Sequence, residues 1–241
     1  MSASDRLNEV LDTLRSLGDP KAAAGPARFG IDVRDIWGVR APDLRQLAKE
    51  IGPDHSLAGQ LWRTGVHDAR ILAALVDDSQ RVTPPQMERW ARDFNSWAVC
   101  DAACGCLFDR TVYAWDKAVE WTGREPEYTK RAGFVLMASL AVHDKKAPDG
   151  RFEAFFPLIA KHATDDRNFV KKAVNWALRQ IGKRNRRLNQ LAVQTAKEIR
   201  DIDSRAARWI ASDALRELTS DEVRQRLDRK RRHSVNFRRS R

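Results

Sequence analysis

The sequence lacks the features that several large classes of protein require. Its apolar runs fall short of the roughly 18 consecutive residues of a membrane span. Residues 1–18 carry five charged side chains where a signal peptide has an apolar core. No P-loop, GxGxxG, HExxH or GxSxG motif occurs. These absences argue against the familiar nucleotide-binding, zinc-protease and serine-hydrolase classes, and we expect a cytoplasmic protein.

Cysteine is also scarce, with three residues in a chain of 241. Cys100, Cys104 and Cys106 fall within seven residues of one another. This spacing has no second cysteine pair and no nearby histidine to complete a four-ligand metal site. We interpret the three as core residues of a helix, and a metal or redox site is the alternative.

Strands and flexible linkers are missing as well. Alternating apolar and polar runs do not occur, whereas apolar residues recur at helical spacing along nearly the whole chain. Predicted helices include residues 84–94, 96–108, 126–142, 152–163, 168–183, 204–218 and 220–232. Because no stretch rich in Gly, Pro or Ser divides the chain, we predict an all-α protein with one domain over 1–223. The remaining residues, 224–241, are predicted to form a basic and partly disordered tail.

A weak repeat indicates how these helices are arranged. Segments that begin at Asp68, Lys130, Lys172 and Arg205 each place a basic residue near a small Ala and then turn apolar. Copies after the first lie roughly 33 to 42 residues apart, which suits two-helix repeats. The pattern predicts a curved solenoid of antiparallel helix pairs of the HEAT type, with a concave basic groove. The alternative is chance, because Ala and Arg are common helix formers.

The charge of the chain is strongly positive, with 44 Lys and Arg against 33 Asp and Glu and a net charge of +11. Residues 167–187 carry eight basic side chains and no acid, and residues 224–241 carry nine basic side chains and one acid. Regularly spaced phosphates are the natural partner of such clusters, which favours a nucleic acid. A solvated face with a charged tail is the alternative.

One of the eight tryptophans, Trp97, shares an otherwise apolar helix face with an acid one turn away. Trp97, Asp101, Cys104 and Phe108 occupy one face of a predicted helix at i, i+4, i+7 and i+11. An acid on an apolar stripe costs stability unless it is paired or opens onto a groove. Since a carboxylate and an indole face both attract cations, the pair is a candidate site, and a purely structural role is the alternative.

Two further residues occupy matching places in later repeats. Arg131 and Trp176 both lie in the opening halves of predicted inner helices, and Trp176 has Lys171, Lys172 and Arg179 around it. We expect both to face the predicted groove together with the tryptophan–aspartate pair.

These residues resemble a known family, the AlkD-type DNA alkylation repair glycosylases. The likeness runs from about residue 30 to 215 and is carried by the segments Gly38–Arg45, Leu61–Arg70, Asn95–Asp101, Lys130–Ala132 and Phe169–Arg179. The Trp-x-x-x-Asp motif and the later Lys-Ala-x-x-Trp-x-Leu-Arg motif are its more specific parts.

The resemblance implies a monofunctional hydrolase that removes cationic N-alkylated purines, such as 3-methyladenine and 7-methylguanine, from duplex DNA. It makes Trp97 and Asp101 the catalytic pair and Arg131 the active-site arginine. Trp176 becomes an indole packed on the sugar and backbone of the lesion, and Arg179 a phosphate contact. Further DNA contacts are expected from the neighbouring cations, Lys171, Lys172, Lys183, Arg184, Arg186 and Arg187.

The same resemblance sets the remaining expectations. The partner is double-stranded DNA with alkylated bases, and the protein is a monomer that needs no metal or cofactor and associates with the nucleoid when bound to DNA. Family members often carry an acid or a second aromatic beside the catalytic tryptophan, whereas this chain has Ser96 and Ala98. We expect this departure to alter rate or lesion range. The alternative is a non-catalytic helical-repeat protein that binds damaged or branched nucleic acid.

Overall fold

The computed structural model describes residues 3–24 and 35–229. All regular structure in those two ranges is helical, which confirms the prediction of an all-α protein. The chain forms two compact units, Met1–Ala114 and Trp115–Arg241. The predicted disorder of the tail from residue 230 onward lies outside the described residues.

The first unit contains seven α-helices within its described part, followed by one short 3-10 turn. The helices are α1 (Ala3–Ser16), α2 (Pro20–Ala24), α3 (Ala41–Ile51), α4 (His55–Arg63), α5 (His67–Val76), α6 (Pro84–Arg92) and α7 (Trp97–Cys106), and the turn is Phe108–Arg110.

Local sequence explains where α6 and α7 begin. The side chain of Thr83 accepts a hydrogen bond from the backbone N–H of Gln86, and that of Ser96 accepts one from Val99. Each cap satisfies an amide that the first helical turn leaves without a partner. Pro84 follows its cap directly, at a position where no amide hydrogen is needed.

The core of the first unit forms around α5, which packs against α3, α4 and α7. Leu61 and Leu72 are fully buried there, and burial of each side chain contributes roughly 2 kcal/mol to folding. Trp62 of α4 and Trp90 of α6 stack face to face, with ring centroids 3.8 Å apart. These contacts hold the helices that precede α7.

The second unit begins with α8, whose first residue lies at the boundary between the units. Its described helices are α8 (Ala114–Thr122), α9 (Glu127–His143), α10 (Asp149–Glu153), α11 (Phe156–Lys161), α12 (Asn168–Gly182), α13 (Arg186–Arg200), α14 (Arg205–Leu218) and α15 (221–229).

Three long helices of the second unit pack side by side. The central one, α12, contacts α9 on one side and α14 on the other, while α13 packs against both α12 and α14. At Gly182 a Cβ atom would lie 2.8 Å from the Cβ of Ala192 and 2.7 Å from a methyl group of Leu218. Only glycine therefore allows α12 to end so close to α13 and α14.

One of the helices predicted from the sequence is broken in the structure. Residues 152–163 were predicted as a single helix, but the chain forms α10 and α11 with a break between them. Pro157 causes the break, because a proline inside a helix has no amide hydrogen and clashes with the carbonyl four residues earlier. It sits instead in the first turn of α11.

The prediction of one continuous domain over 1–223 stays a prediction. Helix pairs in a repeat protein contact chiefly their neighbours, so a division into compact units is compatible with one domain or with two.

Candidate functional site

The helix α7 carries the predicted tryptophan and acid in its first two turns. Trp97 is its first residue, and Asp101 lies one turn later on the same face. Both side chains are half-buried, while Cys104 farther along the stripe is fully buried, as is Phe108 in the 3-10 turn that follows the helix. The pair therefore lies at the accessible end of an otherwise apolar stripe, which is where a ligand could reach it.

The N-terminal cap of α7 positions this pair. Ser96 is fully buried, and its hydroxyl accepts the Val99 N–H at 3.2 Å. This contact fixes the residue at which the helix starts and hence the direction in which Trp97 leaves the backbone. Ala98 is half-buried beside it, so a methyl group stands where an acid or an aromatic ring is frequent in the resembling family.

Two of the three cysteines of α7 belong to the core. Cys100 and Cys104 are buried and Cys106 is half-buried, and none of the three forms a disulfide. Burial raises the pKa of Cys104 well above its ordinary value, and the nearby Cys100 and Asp101 raise it further. Burial also raises the pKa of Cys106. Protonated thiols are poor nucleophiles and poor metal ligands. Across residues 3–24 and 35–229, no group of three His, Cys, Asp or Glu residues could hold a metal ion.

Arg131 of α9 is buried, with 6% of its surface exposed. Its Nη1 donates to the backbone carbonyl of Phe169 at 2.7 Å. One turn earlier on α9, the carboxylate of Glu127 accepts the N–H of the same Phe169 at 3.3 Å. The two side chains thus form hydrogen bonds with the C=O and the N–H of one residue at the start of α12. Arg131 therefore links α9 to α12.

A second cluster ties the same helix ends together. Asp165 forms ion pairs with Lys130 at 3.0 Å and with Arg167 at 2.6 Å. Burial raises the pKa of Asp165, but hydrogen bonds from Arg167 and Lys130 outweigh burial and hold the pKa at about 2. Lys130, one of the basic residues of the repeat pattern, is thus paired with the loop that precedes α12.

The first turns of α12 provide cations that are available to a ligand. Lys172 is exposed, and none of the described residues forms an ion pair with it. Lys171 is half-buried, and its Nζ lies 5.2 Å from the ring centroid of Trp209 on α14. Trp176, one turn after Lys172, is half-buried. Together these residues offer positive charge beside two indole rings.

Further along α12, the predicted phosphate contacts form an internal ladder. Arg179 pairs with Glu217 of α14 and lies 3.6 Å from Asp213. Lys183 pairs with the same Glu217 at 2.6 Å. Burial raises the pKa of Glu217, but hydrogen bonds from Lys183 and Arg179 outweigh it and lower the pKa below the ordinary value. Both cations therefore stabilise the contact between α12 and α14.

The remaining predicted cations lie at the C-terminal end of α12 or begin α13. Arg184 donates to the carbonyl of Ala141 at 2.7 Å, and Arg186 and Arg187 pair with Asp228 and Glu153. Since a helix of 15 residues is about 22 Å long, these cations form a separate group from Lys171 and Lys172.

Trp209 was not predicted as a site residue, although it is 41% exposed. Its segment, Arg205–Ile210, was recognised in the sequence as a copy of the repeat. In that copy Trp209 is the fifth residue, as Trp176 is in the copy that begins at Lys172. The signal was therefore present in the sequence.

Comparison with known proteins places these features in context. Residues 10–218 match the family of DNA alkylation repair enzymes. An uncharacterized protein of Listeria innocua is 22% identical over 196 residues, which cover 79% of this chain and 85% of that protein.

A solved structure is similar along most of the chain. It is described as a new family of proteins related to the HEAT-like repeat DNA glycosylases with affinity for branched DNA structures. It aligns with a TM-score of 0.74 and 21% identity, covering 88% of this chain and 95% of that chain. This structural similarity confirms the predicted helical fold of the HEAT-like repeat type. Within the described residues, none of the helices is long and apolar enough to cross a membrane.

Proposed function

Because this chain belongs to the family of DNA alkylation repair enzymes, we propose that it is a monofunctional DNA glycosylase. It hydrolyses the N-glycosidic bond of cationic N-alkylated purines, such as 3-methyladenine and 7-methylguanine, in duplex DNA. The observation that carries the proposal is the half-buried Trp97 and Asp101 pair, one turn apart on α7.

Asp101 supplies the charge that the reaction needs. When the glycosidic bond breaks, positive charge develops on the sugar, and a nearby carboxylate stabilises it and orients the attacking water. Most glycosidases also need an acid to protonate the leaving group. An alkylated purine already carries a positive charge and leaves as a neutral base, so one carboxylate is sufficient.

Trp97 supports the same transition state. The face of an indole attracts a cation, and this attraction is worth about 1–2 kcal/mol where water is excluded. In the proposal the ring lies against the cationic nucleotide and keeps bulk water from Asp101. The loss of water strengthens the interaction between the carboxylate and the developing charge.

The second unit contributes the DNA contacts in this proposal. Lys171 and Lys172 bind phosphates, and Trp176 packs on the sugar and backbone. Arg131 aligns the start of α12, on which these residues lie, through its hydrogen bond to Phe169, in addition to the active-site role that the family resemblance implies. No particular lysine is indicated as a Schiff-base nucleophile, so the abasic product strand remains uncut. We propose a cytoplasmic monomer without cofactor.

A non-catalytic protein that binds branched DNA is the second candidate. It is favoured by the solved structure described above, which belongs to a family described as having affinity for branched DNA structures. In that case the basic surface would bind DNA, and Trp97 and Asp101 would have no role in bond cleavage.

One experiment separates the two candidates. Purified protein is incubated with methylated duplex DNA, and released bases are separated and identified by mass. The glycosylase proposal expects 3-methyladenine or 7-methylguanine to be released, and release to be lost in Asp101→Asn but kept in Asp12→Asn, a control on the exposed surface of α1. Tight binding to a four-way junction without base release would favour the second candidate and contradict the first.

A further inference from the structure

A basic cavity of about 990 Å³ lies within the second unit, where α9, α12 and α15 end or begin near one another. Of its 14 lining residues, seven are Lys or Arg and one, Asp149, is an acid. A cavity of this size lies at the upper end of the range for ligand sites. Its lining is far more basic than that of such sites, which are mostly apolar.

The cavity unites the two basic segments that are far apart in sequence. Lys183, Arg184, Arg186 and Arg187 come from the segment 167–187, whereas Arg226 and Arg229 come from α15. The ion pair between Arg186 and Asp228 joins the segments directly. Val223 and Leu227 of α15 are buried, so α15 packs against its neighbours and forms one side of the cavity.

Internal ion pairs hold several of the cations that line the cavity in fixed positions. Lys183, Arg186 and Arg187 pair with Glu217, Asp228 and Glu153. Even when these acids, Asp149 and the Asp144 that lies near Arg184 are counted, seven positive charges face five negative ones. The lining of the cavity therefore keeps an excess of positive charge, which attracts an anion.

Arg184 is held in place by a backbone carbonyl and an aromatic ring. Its guanidinium donates to the carbonyl of Ala141 at 2.7 Å and lies 3.9 Å from the ring centroid of Phe152. Burial lowers its pKa from the ordinary value. A guanidinium held in this way is preorganised, so little side-chain entropy is lost when an anion binds beside it.

Two other cations reach into the opening without such contacts. Lys145 and Arg226 are exposed, and no described residue forms an ion pair with either. Their charges are the ones that a ligand would neutralise most readily. The sequence then continues from Arg229 with six more basic residues and no acid before it ends.

We propose that this cavity is a second nucleic-acid site, which binds the phosphate backbone of a DNA segment other than the one held by Lys172 and Trp176. Lys183 directly follows α12 and lies 11 residues after Lys172, or about 16 Å along the helix axis, so a phosphate in the cavity is not the phosphate beside Lys172. The inference goes beyond the glycosylase proposal: it rests on the DNA contacts of that proposal but not on its catalytic step. The protein holds DNA at two places in its second unit.

The test compares two pairs of charge-neutralising substitutions. Lys145→Gln with Arg226→Gln removes the two exposed cations of the cavity. Lys161→Gln with Lys197→Gln removes two exposed cations of the same unit that lie outside the cavity, on α11 and α13. All four side chains lack ion pairs within the described structure, so both variants are expected to fold.

DNA affinity is measured by fluorescence anisotropy on an unmodified duplex between about 50 and 200 mM salt. The cavity variant is expected to lower the salt slope by about 2 and the affinity at about 150 mM roughly 30-fold, since each lost phosphate contact removes about 0.9 from the slope. The control pair is expected to change neither. An equal effect of both pairs, or no effect of the cavity pair, would overturn the proposal.

Two further measurements identify the source of the phosphate and the independence of the site. If calorimetry shows that the cavity variant loses pyrophosphate binding while its salt slope on DNA is unchanged, the cavity is a small-anion site and the proposal is wrong. If base release at saturating protein is lost in the cavity variant, the cavity belongs to the catalytic site and the proposal is equally wrong. A wild type that releases no base refutes the glycosylase proposal alone and leaves the affinity comparison decisive.

Discussion

Replacing Arg131 by Met should weaken the second unit substantially. Met keeps much of the apolar volume but removes the donor to the Phe169 carbonyl, which now receives Nη1 at 2.7 Å. A hydrogen bond to a charged group contributes about 1.5–3 kcal/mol, and without Arg131 the Phe169 carbonyl keeps only its partner within the helix. We expect a loss of about 1.5–3 kcal/mol in the free energy of unfolding.

The assay is urea unfolding followed by circular dichroism, with Glu127→Gln as the matched control. The amide oxygen of Gln can still accept the Phe169 N–H, now bound by Glu127 at 3.3 Å, so the control should lose less than about 1 kcal/mol. If Arg131→Met unfolds at the same urea concentration as the wild type but loses DNA affinity, Arg131 is a ligand contact alone and the reasoning from its burial is wrong.

Three other changes have distinct expected outcomes. Lys172→Gln should lower the salt slope of DNA binding by about 1, and a slope equal to the wild type in anisotropy titrations would show that Lys172 touches no phosphate. Asp165 has a pKa of about 2 against an ordinary 3.8, so its ion pairs stabilise the fold above about pH 4 and are lost as the pH falls through 2. Wild-type unfolding free energy should therefore decline more steeply than that of Asp165→Asn over this range, and parallel curves would contradict the pKa. Trp97→Ala should slow base release about 5- to 30-fold, the equivalent of about 1–2 kcal/mol, and Trp97→Phe should slow it less; equal rates for the two would argue against a cation–π role.

Features set by local spacing were predictable from the sequence. The 3.6-residue period places Trp97 and Asp101 on one face of α7, and Ser96 is a standard cap for the helix that begins beside it. The break between α10 and α11 was also encoded locally by Pro157, but the apolar pattern on either side obscured it.

Features set by contacts between helices were not predictable in this way. Arg179 and Lys183 appear in the sequence as free charges in an acid-free segment, yet their partner Glu217 lies 38 and 34 residues away. The Phe169 carbonyl, which accepts the hydrogen bond from Arg131, is likewise 38 residues away in the sequence. Charge counting along the chain located the positive residues correctly but could not show which of them are neutralised when helices pack.

The cavity in the second unit has the same origin. Residues 183–187 and 224–229 read as two separate basic regions, and packing of α15 brings them into one wall. Helix packing thus separates the basic residues of 167–187 into two groups. The later group, from Lys183 to Arg187, lines the cavity together with the first basic residues of the tail segment.

The most direct test of the proposed function is the single-turnover rate of 7-methylguanine release by wild type and Asp101→Asn at saturating protein. The substrate is a duplex with one lesion, and DNA affinity is measured on the same samples. We expect the wild type to release the base and to leave the strand uncut, and the variant to be about 10²–10³-fold slower with affinity unchanged. Equal rates for both proteins, or no release by a wild type that binds the duplex, would contradict the assignment of Asp101 as the catalytic carboxylate of a glycosylase.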